Sequence, residues 1–177
     1  MVYLDIHRLM ATMFPSCIAV LRSPREFFSG LPPTSRFFGS ILLLTAISML
    51  SGFIVYPFYG ALMMFLFPVV WIILVIGMLA WSHFLSWAVG RFSESRLVPS
   101  NAFLLSAYAS VPLVAGFVPW VGLLAVLWFV YLMWLGIVER GRVSPQLAAG
   151  LVALPGVLLL SVAAALVVML PQLAASL

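Results

Sequence analysis

Polar positions gather in three places along the 177 residues: 1–36, 91–100 and 139–145. The rest of the chain is a series of apolar blocks at about 37–57, 61–89, 101–118, 121–138 and 146–170. About 20 apolar residues in helical form cross a hydrocarbon core of about 30 Å. In that core a single segment must satisfy its own backbone, and a helix does so. The pattern therefore predicts an all-α fold, a polytopic membrane helical bundle of five transmembrane helices. The second block is longer than one crossing needs, which predicts tilt or emergence into the interface. The third is expected to be one helix kinked at Pro112, followed by a tight turn at Pro119-Trp120. Ser144-Pro145 reads as a helix cap and first-turn pair opening the fifth.

The first 36 residues follow another rule. Tyr3, Ile6, Met10, Met13 and Phe14 recur at helical spacing, with Asp5, Arg8 and Thr12 opposite. That is the pattern of an amphipathic helix lying in the headgroup region. The apolar stretch 9–21 is too short to span and is expected to break at Pro15. No small-residue cleavage site follows it, so the segment reads as retained. Ser23-Pro24-Arg25-Glu26 fits a capping box. Phe27, Phe28 and Leu31 give the short helix after it an apolar side, and Gly30, Pro32 and Pro33 end it. The expected organisation is an interfacial amphipathic segment, 1–36, before a five-helix transmembrane domain, 37–177.

Charge turns this pattern into a topology. The chain is 66% hydrophobic and 7% charged, far below the roughly one quarter usual in soluble domains. Its mean hydropathy is +1.27 and its pI about 9.8. The formal net charge of +4 comes with eight Arg and no Lys, all placed beside apolar runs. That placement suits anionic lipid headgroups, so membrane lipids are expected partners and nucleic acid is not. All twelve charges lie in the three polar segments, and the turns at 57–60 and 118–120 carry none. Five spans put those three segments on one side. Four or six would charge both faces or leave an apolar run unexplained. The positive-inside rule then places the N-terminus in the cytoplasm and the C-terminus outside. Abundant Ala, Leu, Gly and Pro without Lys points to a GC-rich bacterial genome, hence an inner membrane. A single cysteine, Cys17, excludes an internal disulfide framework and offers no metal-ligand spacing.

Candidate chemistry is sparse. A membrane enzyme needs nucleophiles, bases or metal ligands inside its spans. His83 is the one histidine beyond the N-terminal segment, and it is expected near the cytoplasmic interface; His7 reads as a surface residue. No H-E-x-x-H or G-x-S-x-G occurs. No span holds an Asp, Glu, Lys or Arg at its middle, which argues against an ion-coupled pump. The expectation is a protein with no catalytic residue, no cofactor and no metal. Ser48 with Gly52, and Ser106 with Ser110, are small residues four apart, a spacing that lets helices approach closely. Trp128, Tyr131 and Trp134 form a stripe that reads as lipid-facing or packing. Pro68, Pro112 and Pro155 are expected to kink their helices.

Residues 106–160 resemble the C-terminal half of the Yip-domain family. The shared features are Tyr108-x-x-x-Pro112, a tight turn, and an aromatic-rich helix ending Leu135-Gly136-Ile137. A short charged loop and an Ala-rich last helix follow. SPREFFSGLP at 23–32 is similar to the segment that precedes the first span in bacterial members. The resemblance implies a five-span bundle with a cytoplasmic N-terminus. Eukaryotic members reside in Golgi and endoplasmic-reticulum membranes, where they interact with Rab GTPases and each other. This chain lacks the family's D-L-Y-G-P motif, its one Asp being Asp5, which argues against Rab GTPase binding.

Two functions fit. One is a non-enzymatic membrane scaffold or adaptor that associates with itself or with partner membrane proteins. The other is a passive lipid or small-solute translocator, with a groove lined by His83, Ser106, Tyr108 and Ser110 beside the Pro112 kink.

Overall fold

The computed structural model describes residues 6–31, 37–59, 62–93, 96–116, 118 and 120–175. Within these residues seven α-helices follow one another: α1 (Ile6–Arg22), α2 (Pro24–Ser29), α3 (Phe37–Tyr59), α4 (Leu62–Phe92), α5 (Pro99–Ala109), α6 (Val121–Gly141) and α7 (Pro145–Ala175). A 3-10 turn, Val111–Ala115, follows α5. No strand occurs among the described residues.

Among the described residues, three helical stretches are long and apolar enough to cross a membrane: Phe37–Ile54, Trp71–Phe92 and Val121–Gly141. These are the cores of the first, second and fourth expected spans. They leave large apolar side chains bare, among them Phe53 at 77% and Leu124 at 67% exposure. Water would penalise such a surface and lipid does not. Helix α4, at 31 residues, runs about 46 Å by helical rise, the overlength its sequence forecast, and it continues through Pro68. Helix α7 is also 31 residues long and covers the fifth block; several of its side chains lie outside the description.

The third expected span is not one continuous helix. It starts two residues earlier, where Val98 is extended and Pro99 takes the first helical position. It ends at Ala109 after 11 residues, about 16 Å by helical rise. Pro112 is the cause. It has no N–H for the carbonyl four residues back, and it disfavours helical backbone at Val111. The chain tightens instead, with Leu113 N–H donating to Ser110 O at 2.9 Å and Gly116 N–H to Leu113 O at 2.9 Å. The five-residue turn adds about 10 Å.

Two further expectations are corrected. Helix α1 does not break at Pro15 but runs through it. Pro15 itself sits on an exposed part of the helix, so its ring is not forced into the packed core. The capping box is absent too: Ser23 is the N-cap and Pro24 opens α2, but no side-chain cap bond forms. The Ser23 N–H already donates to Ala19 O at 2.9 Å, closing α1, so the donor a capping glutamate would satisfy is spent. The Ser144-Pro145 start of α7 does form, with Leu147 N–H reaching Ser144 Oγ at 3.4 Å. Helix α6 continues past the expected 138 to Gly141, taking in Glu139 and Arg140 before Arg142 turns left-handed at φ 50. Tyr3, Asp5, Pro32, Pro33, Arg36 and Pro119 lie outside the described residues.

Three contacts orient the bundle. Phe37, opening α3, stacks on Phe103, near the start of α5, with ring centroids 5.0 Å apart. Gly136, near the end of α6, lies against Leu105 of α5. Arg25 of α2 pairs with Glu139 of α6 at 2.9 Å. Helix α2, the starts of α3 and α5 and the end of α6 therefore lie at one end of the bundle. At the other, Gly122 abuts Gly116 across the uncharged turn.

Candidate functional site

The N-terminal helices enter the bundle through a set of specific contacts. Helix α2 is short, but its apolar side is not spread on a surface. Phe28 is fully buried, Leu31 nearly so, and both belong to one core with Leu105, Leu132, Leu135 and Ile137. Phe27 meets the Tyr108 ring edge to face at 4.9 Å and Phe28 at 5.5 Å. Ser16 of α1 is the hydrogen-bond partner of Tyr108. Arg25 reaches across to Glu139, fixing α2 to the last turn of α6.

The pair is partly solvated, with Arg25 at 73% and Glu139 at 25% exposure, so its coupling belongs to the range of about 0.2–1 kcal/mol for such pairs. The expected result is that Arg25→Glu and Glu139→Arg each lower the thermal midpoint slightly. The double exchange recovers most of the loss, measured by unfolding in detergent at low salt. Burial on α1 pushes the Cys17 thiol above its ordinary range. The thiolate is the reactive form, so alkylation at neutral pH is expected to be several-fold slower than for free cysteine, rising only in more alkaline buffer. A mass-shift time course measures this.

The five candidates from sequence have different surroundings. Ser106 and Ser110 are completely buried. Ser106 Oγ donates to Ala102 O at 2.8 Å and Ser110 Oγ to Ala107 O at 2.7 Å. The second bond occupies a carbonyl freed by the break in α5, so the Ser110 hydroxyl helps to stabilise the interruption. Pro112 causes that interruption, and Tyr108 belongs to the α1–α2 junction. His83 stands apart: it is exposed on α4, and its Nδ1 lies 2.9 Å from Leu79 O of its own helix. Among the described residues, no three His, Cys, Asp or Glu gather as a metal would need.

Several contacts were not singled out from sequence. Trp71 Nε1 donates to Thr45 Oγ1 at 3.0 Å, joining α3 to α4 inside the apolar layer, while Thr45 Oγ1 donates to Ile41 O at 2.9 Å. Trp134 Nε1 donates to Pro145 O at 3.0 Å, pinning the start of α7 to α6. A polar side chain within an apolar run was the available signal, but neither partner nor spacing identifies the pairing. The Trp128–Tyr131–Trp134 stripe is a partly exposed ladder with centroids 5.3 and 6.1 Å apart. Among the described residues, four buried polar atoms have no protein partner: Ser40 Oγ, Ser51 Oγ, Trp81 Nε1 and Asn101 Oδ1.

The family model for the Yip1 domain matches residues 18–167, from the second half of α1 into α7. No curated protein and no solved structure matches the chain.

Proposed function

Because the chain belongs to the Yip1 domain family, we propose that it is a non-enzymatic scaffold or adaptor of a bacterial inner membrane. In this reading it crosses the bilayer five times, with α5 and its 3-10 turn together making the third crossing. The N-terminus and the charged end face the cytoplasm and the C-terminus lies outside, as the grouped Arg residues favour. Helix α1 lies in the cytoplasmic leaflet surface. The working partners are lipids, further copies of the chain or other membrane proteins, with no cofactor, no nucleic acid and no Rab GTPase.

The observation that carries this reading is how the interior hydroxyls are used. Ser82, Ser106 and Ser110 are buried and each bonds a backbone carbonyl three or four residues before it. The described ion pair lies at the charged end. Polar groups used in this way support close helix packing, the work of a scaffold, rather than a reaction. Chemical crosslinking in native membranes and native mass spectrometry of the purified protein test it. Defined oligomers or a co-purifying membrane protein are expected; a strictly monomeric protein without partners contradicts it.

A second reading, a passive lipid or small-solute translocator, is favoured by the four unpartnered buried polar atoms. Such groups are costly in an apolar layer unless water or a headgroup reaches them. Proteoliposomes should then show lipid exchange or solute flux above protein-free vesicles. Flux equal to empty vesicles removes this reading and leaves the scaffold standing.

A further inference from the structure

The described part of α1 has an apolar face that the protein leaves uncovered. Phe14, Ile18 and Leu21 are 73%, 48% and 44% exposed. Their spacing of four and three residues puts them on one side of the helix. The adjoining side carries Val20, fully buried, and Cys17, packed against the core. The helix cannot roll to hide the bare face, because three contacts hold the α1–α2 unit. These are the Ser16–Tyr108 hydrogen bond, the Phe27–Tyr108 ring contact and the Arg25–Glu139 pair. The last of them also sets the depth of the unit, at the bundle end where α6 finishes in Glu139, Arg140 and Gly141.

Charge identifies what covers the face. Helix α1 contains Arg8 and Arg22 and no Asp or Glu, and Arg22 is exposed beside Leu21. We propose that the Phe14–Ile18–Leu21 face of α1 is a docking surface for an anionic phospholipid leaflet. The three side chains sit among the outermost acyl carbons and Arg22 sits at the phosphates. An amphipathic helix binds such a surface by buried apolar area plus attraction to anionic headgroups, with its apolar face about 5–10 Å below the surface. A second copy of the chain is a poorer occupant. A two-fold pairing of this face sets one acid-free basic helix against another, and like charges repel. The inference rests on the proposed placement of α1 at the cytoplasmic leaflet and adds which lipids it contacts and through which side chains.

The test uses the full-length protein, Cys17→Ser with Ile18→Cys, carrying an environment-sensitive fluorophore. It is reconstituted at one copy per nanodisc in phosphatidylcholine with or without phosphatidylglycerol. The expected result is blue-shifted emission, quenched several-fold more by lipids spin-labelled near the headgroup than by aqueous iodide. The shift is larger with phosphatidylglycerol, and Arg22→Gln reduces that difference. A probe open to iodide in both discs overturns the proposal, as does one shielded from both quenchers. Equal behaviour in the two lipids, unaffected by Arg22→Gln, overturns its anionic specificity. If Ile18→Cys misfolds, Leu21→Cys carries the probe to the same outcomes. Each disc holds a single copy, so failure of the scaffold reading by crosslinking leaves this readout unchanged, and failure here leaves the crosslinking result unchanged.

Discussion

Gly122→Ala is expected to be the most damaging small substitution in the protein. Gly122 is the second residue of α6, just after the uncharged turn, and its N–H donates to Val118 O at 2.8 Å. A Cβ placed there runs directly into the backbone carbonyl of Gly116. That atom cannot swing aside as the end of a side chain can. It belongs to the backbone that closes the 3-10 turn, where Gly116 N–H is already held by Leu113 O. Relief requires moving the α6 start away from the turn, at a cost of about 3 kcal/mol or more, the upper end for forcing atoms into a packed site. The expected outcome is a clear drop in the thermal midpoint in detergent and loss of monodisperse protein. Gly90→Ala is the control: Gly90 lies in α4 with nothing within 4 Å of its added Cβ. There alanine removes only the helix penalty of glycine and should stabilise slightly.

Phe28→Ala is expected to be nearly as severe, about 3–5 kcal/mol for emptying a large aromatic site. The loss differs in kind from that in a soluble core. Between helices in lipid the hydrophobic effect adds little, so the loss is one of contacts. Phe28 is completely buried in the common core, where α2 packs on α6, and leans edge-on against Phe27. Removing it leaves a cavity and loosens the anchor of α1. Phe53→Ala, at 77% exposure, changes only a surface facing lipid and should leave the midpoint nearly unmoved. A comparable loss in both variants, or in neither, would contradict the placement of α2 inside the bundle.

The sequence made the fold class legible because the relevant physics is coarse. A block of twenty apolar residues with no charge has few structural options, and three such blocks became long apolar helices near their expected limits. The gathering of charge was readable for the same reason. Helix interruptions were harder. Pro15, Pro57, Pro68 and Pro112 look alike in sequence, yet the helix ends only before Pro112. What separates it is local: Ser110 can cap Ala107 O, and Gly116 permits the tight turn beyond.

The α1–α2 junction shows a second limit. Helical spacing identified the apolar side of the short second helix, but not that Phe28 would enter the core or that Phe27 would meet Tyr108. Pairings between distant segments leave no periodic trace. Tyr108 and Pro112 were singled out as members of a family pattern, and Ser106 and Ser110 as small residues four apart. In the structure they divide between a docking contact and a helix break, while His83 stays outside on α4.

The central claim is that this bundle crosses a membrane with its charged segments on one face and its uncharged α5–α6 turn on the other. Single-cysteine accessibility tests it most directly. Ser144→Cys, Arg96→Cys and Val121→Cys, each with Cys17→Ser, are labelled in sealed right-side-out and inverted vesicles with a membrane-impermeant maleimide. All three positions are exposed. The account predicts that positions 96 and 144 label from the cytoplasmic side and position 121 from the opposite side. Labelling of positions 144 and 121 from the same side would contradict it.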